Sequence, residues 1–215
     1  MTAPRRGAFP GSFNPLTLGH LAVAEAAREQ RQLAVIDLIV SRVALAKETV
    51  ERPRVDDRAS VLRAAAASRP WLDVRVTADQ LIADIAAGYD VVIMGADKWA
   101  QVADPAFYGG STAARDAALA RLPVVALAPR PPFDVPDGVV VLDVRHDASS
   151  TAARQGQTHW MAPEASEFDR RTGAWSDPDR YDRWLREQGY GRRNTDPTRE
   201  GGRHGPGGDR GADHR

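Results

Sequence analysis

Cysteine is absent from the sequence, which excludes disulfide bonds, thiolate nucleophiles and zinc sites built on cysteine. Net charge is absent as well: 29 Lys and Arg residues balance 29 Asp and Glu residues, so no general field attracts nucleic acid or an anionic membrane. No apolar run approaches the ~20 residues of a membrane-spanning helix, and nothing resembles a secretion signal. We therefore expect a cytoplasmic protein without nucleic-acid or membrane partners. A homo-oligomer stays an open alternative.

Aliphatic residues are scarce at the end of the chain. Residues 191–215 hold one alanine and no larger aliphatic side chain, so they cannot bury enough surface to offset the entropy of ordering. The whole chain has 215 residues, of which 42% are apolar, which suits one domain with a sizeable core. The sequence predicts a single domain over residues 1–190 and a disordered tail over 191–215.

Short apolar runs alternate with helix-forming segments along the domain. The run at 33–40 is typical of a strand buried on both faces of a parallel sheet. Strands are predicted up to Phe9 and at 33–40, 72–77, 90–94, 123–128 and 138–144, and helices at 21–29, 55–67, 79–87, 111–122 and 179–188. This alternation predicts an α/β fold, a Rossmann-like doubly wound parallel sheet of five or six strands.

Two of the predicted helices are amphipathic. In the helix at 55–67 the apolar positions face the core, and Asp56, Asp57 and Arg58 are predicted on the outer face. In the helix at 179–188 the aromatic side chains share one face, where we expect them to pack rather than to bind a ligand.

Polar or glycine-rich clusters follow the predicted strands. They are residues 11–20, Lys47, residues 95–99, Arg130 and residues 149–154. Ligands of a doubly wound sheet bind beyond the carboxyl ends of its strands, so these clusters predict one site. The site offers cations and hydrogen-bond donors, but the sequence has no G-x-S-x-G elbow, G-K-[ST] loop or G-x-G-x-x-G motif. Such a set suits phosphoryl or nucleotidyl transfer by positioning and charge stabilisation.

The first cluster has the pattern of a strand, a tight turn and a helix start. Pro10, Gly11 and Ser12 are turn residues, and an alanine-rich helical segment follows His20. A helix start presents free N–H groups and a partial positive charge, which suit a phosphate group. Thr17 and His20 are three residues apart, so both side chains can face one ligand.

The segment 10–21, P-G-S-F-N-P-L-T-L-G-H-L, closely resembles the signature of the nucleotidylyltransferase superfamily, in which an [H/T]-x-G-H motif follows a G-[S/T]-F-[D/N]-P loop. The segment 149–154, S-S-T-A-A-R, resembles the second motif of that superfamily, S-S-T-x-x-R. The resemblance implies that Thr17 and His20 hold the phosphates of ATP or CTP. It also implies that the second motif grips the triphosphate.

The resemblance assigns further roles. It implies catalytic roles for Thr17, His20, Lys47 and Arg154. It implies ATP binding by Gly11, Ser12, Phe13, Gly19, Gly95, Asp97, Ser149, Ser150 and Thr151. It implies acceptor binding by Lys98, Trp99 and Arg130. Related enzymes bring an acceptor phosphate in line onto the α-phosphate of Mg²⁺-bound ATP and release pyrophosphate, and no protein metal ligand is implied.

The sequence segments disagree about which small molecule accepts the nucleotidyl group. The first motif resembles phosphopantetheine adenylyltransferase, whereas V-V-I-M-G-A-D-K-W and V-V-A-L-A-P-R-P-P-F resemble nicotinate or nicotinamide mononucleotide adenylyltransferase. We favour a pyridine mononucleotide as acceptor, in NAD biosynthesis. The alternatives are a phosphopantetheine or other small-molecule adenylyl- or cytidylyltransferase, and a non-catalytic nucleotide-binding module. Trp99 either stacks on the pyridine ring or belongs to the core.

Overall fold

The computed structural model describes residues 3–43 and 52–190. Its sheet has six strands, all parallel, in the order β3-β2-β1-β4-β5-β6. The strands are β1 (Arg6–Pro10), β2 (Val35–Ser41), β3 (Leu72–Thr77), β4 (Val91–Gly95), β5 (Val124–Ala128) and β6 (Val140–Val141). The prediction of a doubly wound parallel sheet is confirmed.

Eight α-helices lie in the described residues. They are α1 (Leu18–Arg31), α2 (Val55–Ala67), α3 (Ile82–Ile85), α4 (Ala96–Val102), α5 (Thr112–Leu119), α6 (Ser150–Arg154), α7 (Pro163–Thr172) and α8 (Pro178–Glu187). Short 3₁₀ turns occupy Pro105–Tyr108 and Thr158–Trp160. None of the helices in the described ranges is long and apolar enough to cross a membrane.

Side chains alternate between the two faces of the sheet along each strand. Both faces are buried, because helices pack against each of them. In β2, Leu38 and Val40 join a core cluster with residues of α2, α7 and α8, whereas Ile39 joins a second cluster with α3 and α4 on the opposite face. The aromatic side chains Tyr181 and Trp184 of α8 pack in the first cluster, as predicted.

The order of the strands determines where the site lies. The chain runs outward from β1 to β3 and then returns to place β4 on the other side of β1. The carboxyl ends of β1 and β4 therefore flank the point where the strand order reverses, which is the usual ligand crevice of such sheets.

Two predicted elements are much shorter in the structure, and one helix of the structure has no predicted counterpart. The helix predicted at 79–87 is only Ile82–Ile85, because Thr77 and Asp79 bond each other in a turn before it. The strand predicted at 138–144 is only Val140–Val141, at the edge of the sheet. Helix α7 was not predicted.

Arg58 also differs from the prediction. It was placed on the outer face of its helix, but its residue is only 4% exposed. The reason is positional: Arg58 lies three residues after Val55 and four before Leu62, which puts it on the same face as the apolar side chains. The tail predicted at 191–215 lies outside the described residues.

Candidate active site

The start of α1 is closed by a reciprocal pair of side chains. The Thr17 hydroxyl accepts a hydrogen bond from the His20 backbone N–H at 3.3 Å, and His20 Nδ1 accepts one from the Thr17 backbone N–H at 3.1 Å. The Thr17 hydroxyl also lies 2.8 Å from His20 Nδ1. Thr17 is 1% exposed, and His20 is partly buried. The two residues predicted to face one ligand therefore form one unit at the helix start.

The hydrogen bonding of His20 assigns its tautomer. A backbone N–H can only donate, so Nδ1 is the acceptor and the proton of the neutral ring is on Nε2. Burial, together with a smaller effect of the positive charge of Arg130, lowers the pKa of His20 to about 4. At neutral pH the ring is therefore an uncharged donor through Nε2.

The loop between β1 and α1, residues 11–17, is held by contacts from β2 and α2. The N–H of Gly11 donates to the Ile39 carbonyl of the neighbouring strand at 3.0 Å. Arg58 reaches up from α2 and donates from Nη1 to the Ser12 carbonyl at 2.5 Å. The ring of Phe13 is 1% exposed and packs against Phe9 and His20, with centroid distances of 5.5 and 5.0 Å.

Side chains from the C-terminal half of the domain complete this support. Arg154 donates from Nη1 to the Asn14 carbonyl, and Ser150 donates from Oγ to the Pro15 carbonyl at 2.8 Å. Trp175 Nε1 donates to the Asn14 side-chain oxygen at 2.7 Å. These contacts fix the loop before any ligand binds.

The starts of α1 and α6 lie side by side. A Cβ atom added to Gly19 would lie 2.8 Å from the Ala148 carbonyl oxygen, so only glycine permits this approach. Ser149 caps α6, because its hydroxyl accepts from the Ala152 N–H at 3.1 Å. Thr151 is exposed on the first turn, and its hydroxyl lies 3.4 Å from Arg154 Nη2. The two predicted motifs are thus brought together.

The segment after β4 contributes charged groups. Asp97 Oδ2 lies 3.7 Å from Arg130 Nη1, and both side chains are partly exposed. Gly95 precedes α4, and a Cβ atom on it would lie 2.4 Å from Asp97 Oδ1, so the carboxylate folds back over this glycine. Arg130 links this segment to α1 through its electrostatic effect on His20.

Three further residues were predicted to belong to the site: Lys98, Trp99 and Lys47. Lys98 donates from Nζ to the Gln101 side-chain oxygen at 2.7 Å. Trp99 is half-buried and packs against the second core cluster, which favours the interpretation of Trp99 as a core residue. Lys47 lies outside the described residues. No group of three or more His, Asp or Glu side chains suited to a metal ion occurs in the part of the chain that the structure describes.

Three residues of the site were missed by sequence reasoning: Arg58, Asn14 and Trp175. The helical spacing placed Arg58 on the apolar face of α2, and this was the one available signal. Asn14 and Trp175 are 161 positions apart, so no local pattern reveals their contact.

The geometry defines a Rossmann-like nucleotide-binding class of protein: a parallel sheet, a capped helix start after the first strand, and cations around it. The family model described as cytidylyltransferase-like matches residues 8–156. The chain belongs to that family, which confirms the resemblance to the nucleotidylyltransferase superfamily.

Individual relatives match a shorter region. Phosphopantetheine adenylyltransferases of Anaeromyxobacter sp. (strain K) and of two strains of Anaeromyxobacter dehalogenans are each 37% identical to this chain over 70 residues. The match covers 33% of this chain and 40% of each relative. The chain therefore spans less than half the length of the curated relatives that it matches.

Proposed function

We propose that the protein transfers a nucleotidyl group from a nucleoside triphosphate, with ATP favoured over CTP, to the phosphate of a small acceptor. The observation that carries this proposal is the junction of the two motifs. A neutral imidazole with its proton on Nε2 lies at the start of α1, beside the start of α6 with Arg154. Helix starts and cationic side chains together suit a triphosphate.

The proposed reaction needs no protein nucleophile. An oxygen of the acceptor phosphate attacks the α-phosphorus of the donor in line, the bond from the α-phosphorus to the bridging oxygen breaks, and pyrophosphate leaves with its Mg²⁺. The metal enters with the triphosphate as part of the substrate, since Mg²⁺ is commonly held through substrate phosphates. Positioning and charge stabilisation supply the rate enhancement.

The donors are assigned to parts of this reaction. His20 Nε2 would donate to the oxygens around the α-phosphorus, where negative charge grows. Arg154 uses two of its five N–H groups within the protein and is exposed, so the others can hold the leaving pyrophosphate. Thr17 orients His20, and Ser149 and Ser150 position α6.

Two acceptors are proposed on different grounds. A pyridine mononucleotide is supported by the segments that include Asp97 and Arg130. Phosphopantetheine is supported by the relatives and by the first motif. The packing of Trp99 against the core weakens one argument for the pyridine, because a ring packed there has less surface for stacking.

The experiment combines the full chain and Mg²⁺ with ATP or CTP and, separately, with nicotinate mononucleotide, nicotinamide mononucleotide or phosphopantetheine. Pyrophosphate release is measured, and the product is identified by its mass. We expect release only when one of the acceptors is present. Two donors and three acceptors give six reactions, and reactions without acceptor are the control. If none of the six released pyrophosphate, the proposed function would be overturned.

A further inference from the structure

Arg58 is a buried cation directly beneath the loop that precedes α1. Its Nε donates to the Pro53 carbonyl at 3.2 Å, and its Nη1 donates to the Ser12 carbonyl at 2.5 Å. Both acceptors are uncharged. Within residues 3–43 and 52–190, no carboxylate forms an ion pair with Arg58. The nearest electrostatic support is Tyr181, whose hydroxyl is hydrogen-bonded to Asp57.

Burying a cation lowers the stability of the folded protein unless other interactions offset the loss of its hydration. Burial lowers the pKa of Arg58, but a guanidinium stays charged at neutral pH even so. A residue that served only to join α2 to the loop could do so without a charge. Among the described residues the charge of Arg58 has no anionic partner, and a phosphate bound at the loop above it would supply one.

The hydrogen bond to Ser12 also determines how the loop faces the ligand. The peptide between Ser12 and Phe13 is planar, so its C=O and N–H point in opposite directions. With the carbonyl turned down to Arg58, the Phe13 N–H is turned toward the open side of the loop. Ser12 itself is exposed there. Backbone N–H groups of this kind form anion-binding concavities.

We propose that Arg58 is a positioning residue for the triphosphate. It fixes the Ser12–Phe13 peptide with its N–H toward the ligand, and it adds a positive charge beneath the phosphates. This inference rests on the proposed function only in so far as the ligand is a nucleoside triphosphate.

A purely structural role predicts a different result. If Arg58 only joins α2 to the loop, its replacement lowers the melting temperature but leaves the affinity of the folded protein for ATP unchanged. If Arg58 positions the loop for phosphates, the affinity for Mg²⁺-ATP falls, and the KM for ATP rises more than the KM for the acceptor.

The test compares Arg58→Met, which keeps much of the side-chain length, with Arg58→Lys, which keeps the charge. Arg63→Met is the matched control, since Arg63 is exposed on the same helix. Binding of Mg²⁺-ATP to the full chain is measured by calorimetry, together with the melting temperature and the KM values. We expect a loss of about 10- to 100-fold in ATP affinity for Arg58→Met, a smaller loss for Arg58→Lys and no change for Arg63→Met.

ATP affinities of both Arg58 variants within twofold of the unaltered protein would overturn the proposal, whatever happens to the melting temperature. If Arg58→Met does not fold, Arg58→Lys decides, because a lysine cannot reproduce both hydrogen bonds and should still weaken ATP binding by severalfold. An unaltered protein that binds ATP but transfers nothing would refute the proposed function alone. An unaltered protein that binds no nucleoside triphosphate would refute both.

Discussion

His20 and Thr17 each hold the backbone N–H of the other, so the imidazole is locked into one orientation and one tautomer. The same contact serves two purposes. It caps α1, and it leaves Nε2–H as a donor that is uncharged at neutral pH. A preorganised donor of this kind costs no reorganisation when charge develops in a transition state.

Replacing His20 with alanine should reduce kcat/KM by about 100- to 1000-fold, because one preorganised donor is lost. The bond from the Thr17 backbone N–H to His20 Nδ1 is lost too. Thr17 still caps the helix by accepting from the backbone N–H of residue 20, so the stability should fall by only about 1 kcal/mol. Steady-state kinetics and urea unfolding measure the two effects. His159→Ala is the control, since His159 is exposed on a short 3₁₀ turn. An unchanged rate for His20→Ala would contradict the role proposed for the imidazole.

The stability of the protein should fall as the pH drops below neutrality. The pKa of His20 is about 4 in the folded chain and 6.5 when unperturbed, so the unfolded chain takes up the proton first as the pH falls through this window. The free energy of unfolding should therefore decrease by about 1 to 2 kcal/mol between pH 7 and pH 5 from this residue alone.

Urea unfolding at pH 7, 6 and 5 measures this decrease. His20→Asn provides the comparison, because it removes the titrating ring and leaves the other ionisable groups in place. The difference in stability between the two proteins should shrink as the pH falls. A difference that stays constant across the three values would show that burial does not perturb the ring.

Local patterns were sufficient for most of the fold. The helix at 55–67 and the strand at 72–77 have the predicted bounds, because their apolar periodicity is carried within each segment. Helix α7 has a weaker pattern, with Phe168 as its one large buried apolar side chain. Its ends were still marked in the sequence, by Pro163 at its first position and by Gly173, whose φ is +76°, after its last.

The site was predictable only where its residues are close in sequence. Thr17 and His20 meet through helix geometry, which spacing alone reveals. The supports of the loop come from distant elements: Arg58 is 46 positions from Ser12, and Trp175 is farther still from its partner. Those contacts exist only after the sheet has brought α2 and the segment after α7 to the loop, so no pattern within a window of the sequence could indicate them.

Replacing Gly19 with alanine should separate the two motifs. The added Cβ would lie 2.8 Å from the Ala148 carbonyl, and a backbone atom can move away only by shifting α6 relative to α1. We expect a loss of about 1 to 3 kcal/mol in stability, together with weaker binding of Mg²⁺-ATP. Unfolding and calorimetric titration measure the two effects. Glu25→Ala, at an exposed position of the same helix, is the control and should change neither.

Replacing Trp175 with phenylalanine should loosen the loop before α1 without emptying the core. The indole N–H that donates to Asn14 is lost, and the Asn14 side chain, in a residue 7% exposed, is left with an unpaired oxygen. The expected cost is about 1 to 3 kcal/mol in the free energy of unfolding.

Trp184→Phe is the matched control, because the same change of ring is made at a tryptophan that also packs against Phe168, with ring centroids 5.6 Å apart. If the indole hydrogen bond matters for the site, Trp175→Phe should also raise the KM for ATP, because the loop that carries Ser12 and Phe13 is then less well ordered. Equal losses of stability in both variants, with unchanged KM values, would show that Trp175 contributes only its packed surface and that the loop is held by Arg154 and Arg58 without it.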